Sequence, residues 1–168
     1  MGKSIKPDER HVLTVEVRAT KAIRPTFVRV TVGGQALEQF AYMGYNPTAN
    51  VDWHLLVGDE SALPAIVGIL QSAPRDLQAE AYIEIPHADD AQEIDAPAGA
   101  NVHWLVRTDR AAKPGAQALD TVRAAQLRDG RMYAFVAGEQ KLASGIRRHL
   151  INDRKVPKHD VTFTGYWR

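Results

Sequence analysis

The stretch DWHLLVGDESALPAIVGIL, residues 52–70, decides the fold. It opens on an apolar run, Trp53-His54-Leu55-Leu56-Val57, which stops at Gly58 and is followed by Asp59, Glu60 and Ser61. Leu63, Ala65, Ile66, Val67, Ile69 and Leu70 then recur at helical spacing. The pattern predicts a buried strand over 52–57, a tight glycine turn and a helix over 61–72. Pro64 suits the first helical turn, where a missing N–H is no loss. Ser61 or Asp59 is placed to cap that helix, and its free N–H groups would face whatever binds above the strand end. In a parallel α/β sheet this is the usual ligand crevice.

The rest of residues 52–168 follows the same grammar. Strands are predicted at 79–85 (AEAYIEI), 101–107 (NVHWLVR), 131–137 (RMYAFVA) and 161–167 (VTFTGYW). Helices are predicted from Gly115 to Leu127 and from Glu139 to about Asn152. Such alternation reads as α/β, a Rossmann-like parallel sheet covered on both faces. The strand at 79–85 has no clear helix after it, only a polar loop over 87–100. Upstream, 11–17 and 27–32 alternate as half-buried strands, with a turn at Arg24-Pro25 and an end at Gly33-Gly34. Two strands do not make a stable sheet alone. Residues 1–51 therefore read as an incomplete β unit that must pack on the following domain or on another chain.

Composition narrows the function classes. A chain of 168 residues with 45 % hydrophobic and 24 % charged residues holds one globular domain and an attachment. Twenty-one basic against 20 acidic residues give +1, which makes no strong field for nucleic acid. No apolar run reaches the roughly 20 residues of a membrane span, and the polar leader MGKSIKPDER lacks a signal peptide's apolar core. Cysteine is absent, which removes disulfides, thiolate metal sites and cysteine nucleophiles. A cytoplasmic protein is the expectation. Charge is uneven all the same: residues 89–95 are acidic and 147–168 basic; each reads first as a solvated face, and the basic end alternatively as a surface that meets an anionic ligand.

Two strand ends carry the candidate chemistry, Val57-Gly58-Asp59-Glu60-Ser61 and Ala137-Gly138-Glu139. Glycine lets backbone approach a ligand closely, and helix N-termini favour anions. The motif is not GxGxxG, however, and Asp59, Glu60 and Glu139 would repel phosphate. They read better as partners of the helix dipoles than as a catalytic pair. Six histidines show no metal spacing and no serine sits in a GxSxG elbow, so neither a metal site nor a hydrolase is expected, and no catalytic residue emerges. Arg107, ending the third strand of this domain, reads either as a cofactor phosphate contact or as a surface arginine. Trp167, after Gly165-Tyr166, is the aromatic placed to cover a flat ring.

These residues bring a family into view. DWHLLVGDESALPAIVGIL, AFVAGEQKLASGIRRHL and the terminal VTFTGYWR resemble the siderophore-interacting proteins, in that family's order and over most of 52–168. FVRVTVGG resembles the opening of the family's flavin barrel, and AYMGY a segment shortly after it. The resemblance implies a cytoplasmic flavoprotein of the ferredoxin-reductase kind that uses NAD(P)H and FAD to reduce a ferric siderophore in iron uptake. It implies nucleotide contacts at Gly58, Asp59, Glu60, Ser61, Ala62, Arg107, Ala137, Gly138 and Glu139, with Trp167 flanking the flavin. It also makes the basic end, Arg147, Arg148, Arg154, Lys155 and Lys158, a candidate surface for the anionic siderophore. The family's Arg-x-Tyr-Thr-x-Arg flavin motif does not occur in this sequence. Six barrel strands with loops need about 60 residues or more, and 51 precede Asp52. The other reading is a flavin-free nucleotide-binding or interaction module whose N-terminal strands pair in a homodimer.

Overall fold

The computed structural model describes residues 16–24, 27–33, 45–109 and 111–168, the first two segments by their backbone. The chain divides into two units, 1–43 and 44–168. In the first, β1 (Glu16–Arg24) pairs antiparallel with β2 (Phe27–Gly33), running from Glu16↔Gly33 to Arg24↔Phe27. The strand expected at 11–17 thus lies mostly outside the described residues. The pairing strand continues instead to Arg24.

The second unit is a parallel sheet. Its strands are β3 (Trp53–Gly58), β4 (Ala79–Ile85), β5 (Ala100–Val106), β6 (Met132–Glu139) and β7 (Val161–Trp167). Spatial order is β5-β4-β3-β6-β7, with every neighbouring pair parallel. The three central strands, β3, β4 and β6, are buried along their whole length, which is why they read as near-continuous apolar runs. The chain moves outward from β3 to β5, then returns to β6 and β7 on the other side. Right-handed crossovers therefore put α1 (Leu63–Ser72) on one face and α2 (Ala116–Ala124) and α3 (Gln140–Arg148) on the other.

Packing follows the sequence period. Leu63, Ile66, Val67 and Leu70 form the buried stripe of α1. On the other face Trp53, Leu55 and Val57 of β3 join Ala134 and Val136 of β6, Val122 of α2, and Leu142 and Ile146 of α3 in one core. After α3 a π-turn over His149–Asp153 ends the helix. β4 reaches β5 through residues 86–99, whose one helical piece is a 3₁₀ turn at Ala88–Asp90.

Residues 45–50 are fastened to the sheet. Tyr45 Oη lies 2.9 Å from His54 Nδ1, and Asn46 N–H donates to Tyr133 Oη at 3.0 Å. Thr48 Oγ1 donates to the buried Asp160 at 2.6 Å, and the Arg131 guanidinium holds the same carboxylate. This segment therefore belongs structurally to the α/β unit.

Candidate functional site

The strand order reverses between β3 and β6, where Gly58 stands beside Ala137 and Val57 beside Val136. A crevice outside the carboxyl ends of these two strands is what the topology provides. Gly58, Asp59, Ser61, Gly138, Glu139 and Trp167 all meet there. The register shift after Gly138 sets Glu139 opposite Trp167.

Asp59 is the centre of that meeting. Its side chain is wholly buried. Oδ1 accepts from Ser61 N–H at 2.9 Å and from the Ser61 hydroxyl at 2.5 Å, and Oδ2 accepts from Glu139 N–H at 2.7 Å. One carboxylate thus clasps the loop after β3 to the loop after β6. Trp167 Nε1 donates to Ser61 Oγ at 3.2 Å, so the end of β7 is tied to the same clasp. Gly138 has φ +130°, and a Cβ there would lie 2.7 Å from the Asp59 carboxyl carbon. A Cβ on Gly58 would meet the Ala62 Cβ at 2.5 Å. Both glycines are required by close packing within the protein itself.

The other carboxylates behave alike. Glu139 is the N-cap of α3; Oε2 accepts from Lys141 N–H at 2.6 Å and Leu142 N–H at 3.2 Å, and Lys113 Nζ stands 2.7 Å from Oε1. Burial pushes this carboxyl up, but Lys113 and the two amides outweigh it and hold it below the ordinary glutamate range. Glu84, buried on β4, accepts from Gly115 N–H at 2.9 Å and Ala118 N–H at 3.0 Å, closing the N-terminus of α2. Arg107 Nε donates to Glu84 at 2.7 Å and Nη2 to Glu60 at 2.6 Å. The structure therefore gives Arg107 two carboxylate partners and leaves its side chain 8 % exposed. The cap expected of Asp59 or Ser61 also differs: Ala62 is the N-cap residue of α1, and Asp59 binds the amide before it.

Around the crevice four carboxylates (Asp59, Glu60, Glu84, Glu139) face two cations (Arg107, Lys113) among the described residues. A phosphate about 4 Å from one unpaired carboxylate would be repelled by roughly 4 kcal/mol at an effective dielectric near 20. The negative field reaches the mouth: partial burial and the Asp59 charge together raise the Tyr166 phenol above its ordinary value.

The basic residues of the C-terminal stretch do not form one surface. Arg147, Arg148 and Lys158 line a cavity of about 290 Å³ between α3 and β7, with Ser144, Asn152 and Phe163. Arg147 stacks over the Phe163 ring at 4.7 Å. Arg154 and Lys155 line a different cavity, of about 330 Å³, with Arg128, Arg131 and Pro157. Arg154 is bonded to the Ala125 carbonyl at 2.9 Å and to His149 at 3.2 Å. Glu84 and Lys113 were not among the residues expected at the site. The signal for Glu84 was available: a carboxylate in a strand buried on both faces must find a partner.

Comparison with known proteins agrees with this architecture. A family model described as siderophore-interacting protein matches residues 51–168. The chain is 35 % identical over 133 residues to an uncharacterised protein of Mycobacterium tuberculosis, covering 74 % of this chain and 47 % of that one. It is 31 % identical over 118 residues to the ferric vibriobactin reductase ViuB of Vibrio cholerae, covering 70 % and 43 %. The crystal structure of a siderophore utilization protein from T. fusca superposes with a TM-score of 0.63 at 35 % identity, over 74 % of this chain and 47 % of that one. The chain spans about half the length of the curated relatives it matches.

Proposed function

The chain belongs to the siderophore-interacting protein family, and from that premise we propose that it binds an anionic ferric siderophore and takes part in its reduction. The observation that carries the proposal is the cavity between α3 and β7. Arg147, Arg148 and Lys158 converge on it, and none has a carboxylate partner among the described residues. Phe163, 40 % exposed, adds an apolar wall. Cations without counter-charges beside an aromatic face suit a large, flat-sided anion. The Vibrio cholerae relative, named a ferric vibriobactin reductase, supports the choice of ligand class and of reaction.

FAD and NAD(P)H are the redox groups that the family reading brings. When bound, FAD turns a hydride's electron pair into the single electrons that Fe(III) accepts. The described residues offer such groups Trp167 as an aromatic flank. The starts of α2 and α3 do not fit a pyrophosphate, because Glu84 and Glu139 already accept from their amides, and the Asp59 carboxylate fills the space above Gly138. No step through either group is therefore assigned to this domain.

The test is a titration with ferric vibriobactin, read by quenching of tryptophan emission at several salt concentrations. Arg147→Ala/Arg148→Ala should weaken binding about tenfold or more and flatten its salt dependence. Unchanged affinity and unchanged salt dependence would refute the assignment. A second reading, a flavin-free interaction module, is favoured by the two-stranded β1–β2 sheet, whose outer strand edges are suited to pairing with a second chain. Light scattering decides it: a folded, strictly monomeric protein excludes the strand-paired homodimer.

A further inference from the structure

We infer that the switch-point crevice of this chain is closed to the pyrophosphate of a dinucleotide, because the chain's own carboxylates bond the amides at the starts of α2 and α3 and the Asp59 carboxylate fills the space above Gly138. In a Rossmann-like sheet, pyrophosphate binds where helix amides are unpaired and glycine leaves room above the strand end. Here several amides of that kind are taken up by the chain's own oxygens. At α1, Ser61 N–H donates to the Asp59 carboxylate, Ala62 N–H to the Asp59 carbonyl, and Pro64 has no N–H. At α2, Gly115 and Ala118 N–H donate to Glu84, and Ala116 N–H to the Lys113 carbonyl. At α3, Lys141 and Leu142 N–H donate to Glu139.

Space is closed as well as charge. The volume above Gly138, where a phosphate would approach the backbone, holds the Asp59 carboxylate, 2.7 Å from the place a Cβ on that glycine would take. Asp59 and Glu84 are fully buried and Glu139 is 2 % exposed, so none can swing into solvent without breaking the clasp. Arg107 and Lys113, the two cations within reach among the described residues, are both spent on carboxylates of this cluster. The glycines and acids of 58–62 and 137–139 thus act as internal cross-links between β3, β6 and the helices. This inference stands apart from the siderophore reading.

The test uses the full chain, ¹⁵N-labelled, titrated with NADPH, NADH and ADP-ribose up to about 1 mM. The readout is the amide signals of Ser61, Gly115, Ala118, Glu139, Lys141 and Leu142. These should stay in place, whether nucleotide fails to bind or binds elsewhere on the chain. A saturable shift of these amides that ADP-ribose reproduces would overturn the inference. Ferric vibriobactin is then added to the same sample. Failure of the siderophore to bind would count against the proposed function and leave the closed crevice standing.

Discussion

Asp59→Asn is the substitution whose effect follows most directly from the structure. The side chain keeps its shape and loses one acceptor. Asp59 faces two backbone donors from opposite sides, Ser61 N–H on Oδ1 and Glu139 N–H on Oδ2. Whichever way the amide turns, its NH₂ confronts one of them, and that N–H is left buried and unpaired. An orphaned buried donor costs about 1–3 kcal/mol. The surviving bonds lose their charge assistance, worth about 1 kcal/mol more, while relief from burying a charge offsets part of the sum. The net expectation is about 2–3 kcal/mol. For a unit of this size that lowers Tm by roughly 8–12 °C. Urea and thermal unfolding followed by circular dichroism measure it. The Trp167 indole N–H resonance supplies a local readout, because its acceptor is the Ser61 hydroxyl that Asp59 holds. A variant within about 0.5 kcal/mol of wild type, with the indole signal unmoved, would refute the clasp; surface changes are of that size.

Two further predictions test the charges around it. Arg107→Met should cost about 3–5 kcal/mol, since it strips a buried carboxylate of its cation; adding Glu84→Gln should recover part of the loss in a urea double-mutant cycle, and a loss under about 1 kcal/mol would show the pair to be dispensable. Acid sensitivity follows from Asp160 and Glu139. Burial acts to raise the Asp160 carboxyl, but the Arg131 guanidinium and the Thr48 hydroxyl prevail and hold it low. A carboxyl lowered in the folded state gives stability that is present above its unfolded value, near pH 4, and drains away as pH falls through that value toward the folded one. The urea midpoint should therefore drop between pH 5 and about pH 3, and Asp160→Asn should be less stable at neutral pH with a flatter decline.

Much of the α/β unit was legible because its signals are local. A glycine after an apolar run ended β3 and began α1, and a second such junction ended β6 and began α3. The missing helix after β4 was visible as a polar loop, and the structure has a 3₁₀ turn there. Shorter helices are the main difference. α2 stops at Ala124 and α3 gives way at His149 to a π-turn, since apolar spacing marks a buried stripe and says little about where the backbone bonding changes. At the site, residue order alone gathered one neighbourhood, from Gly58 to Ser61, Gly138, Glu139 and Trp167. Glu84, Lys113 and the division of the basic residues between two cavities lay beyond it, because each depends on strands distant in the chain becoming neighbours.

Residue order alone determined the strand–helix alternation, the charge balance, the lack of cysteine chemistry and the family to which residues 51–168 belong. It also determined that acids stand at the two glycine junctions. Only the tertiary structure decided what those acids do. A carboxylate near a helix N-terminus can repel a ligand, bind a cation or satisfy the helix, and spacing does not distinguish these roles. The choice was made when β3 and β6 became neighbours and brought the Glu139 amide within 2.7 Å of Asp59. In a buried site an unpaired donor and an unpaired charge are both costly, so each found the other.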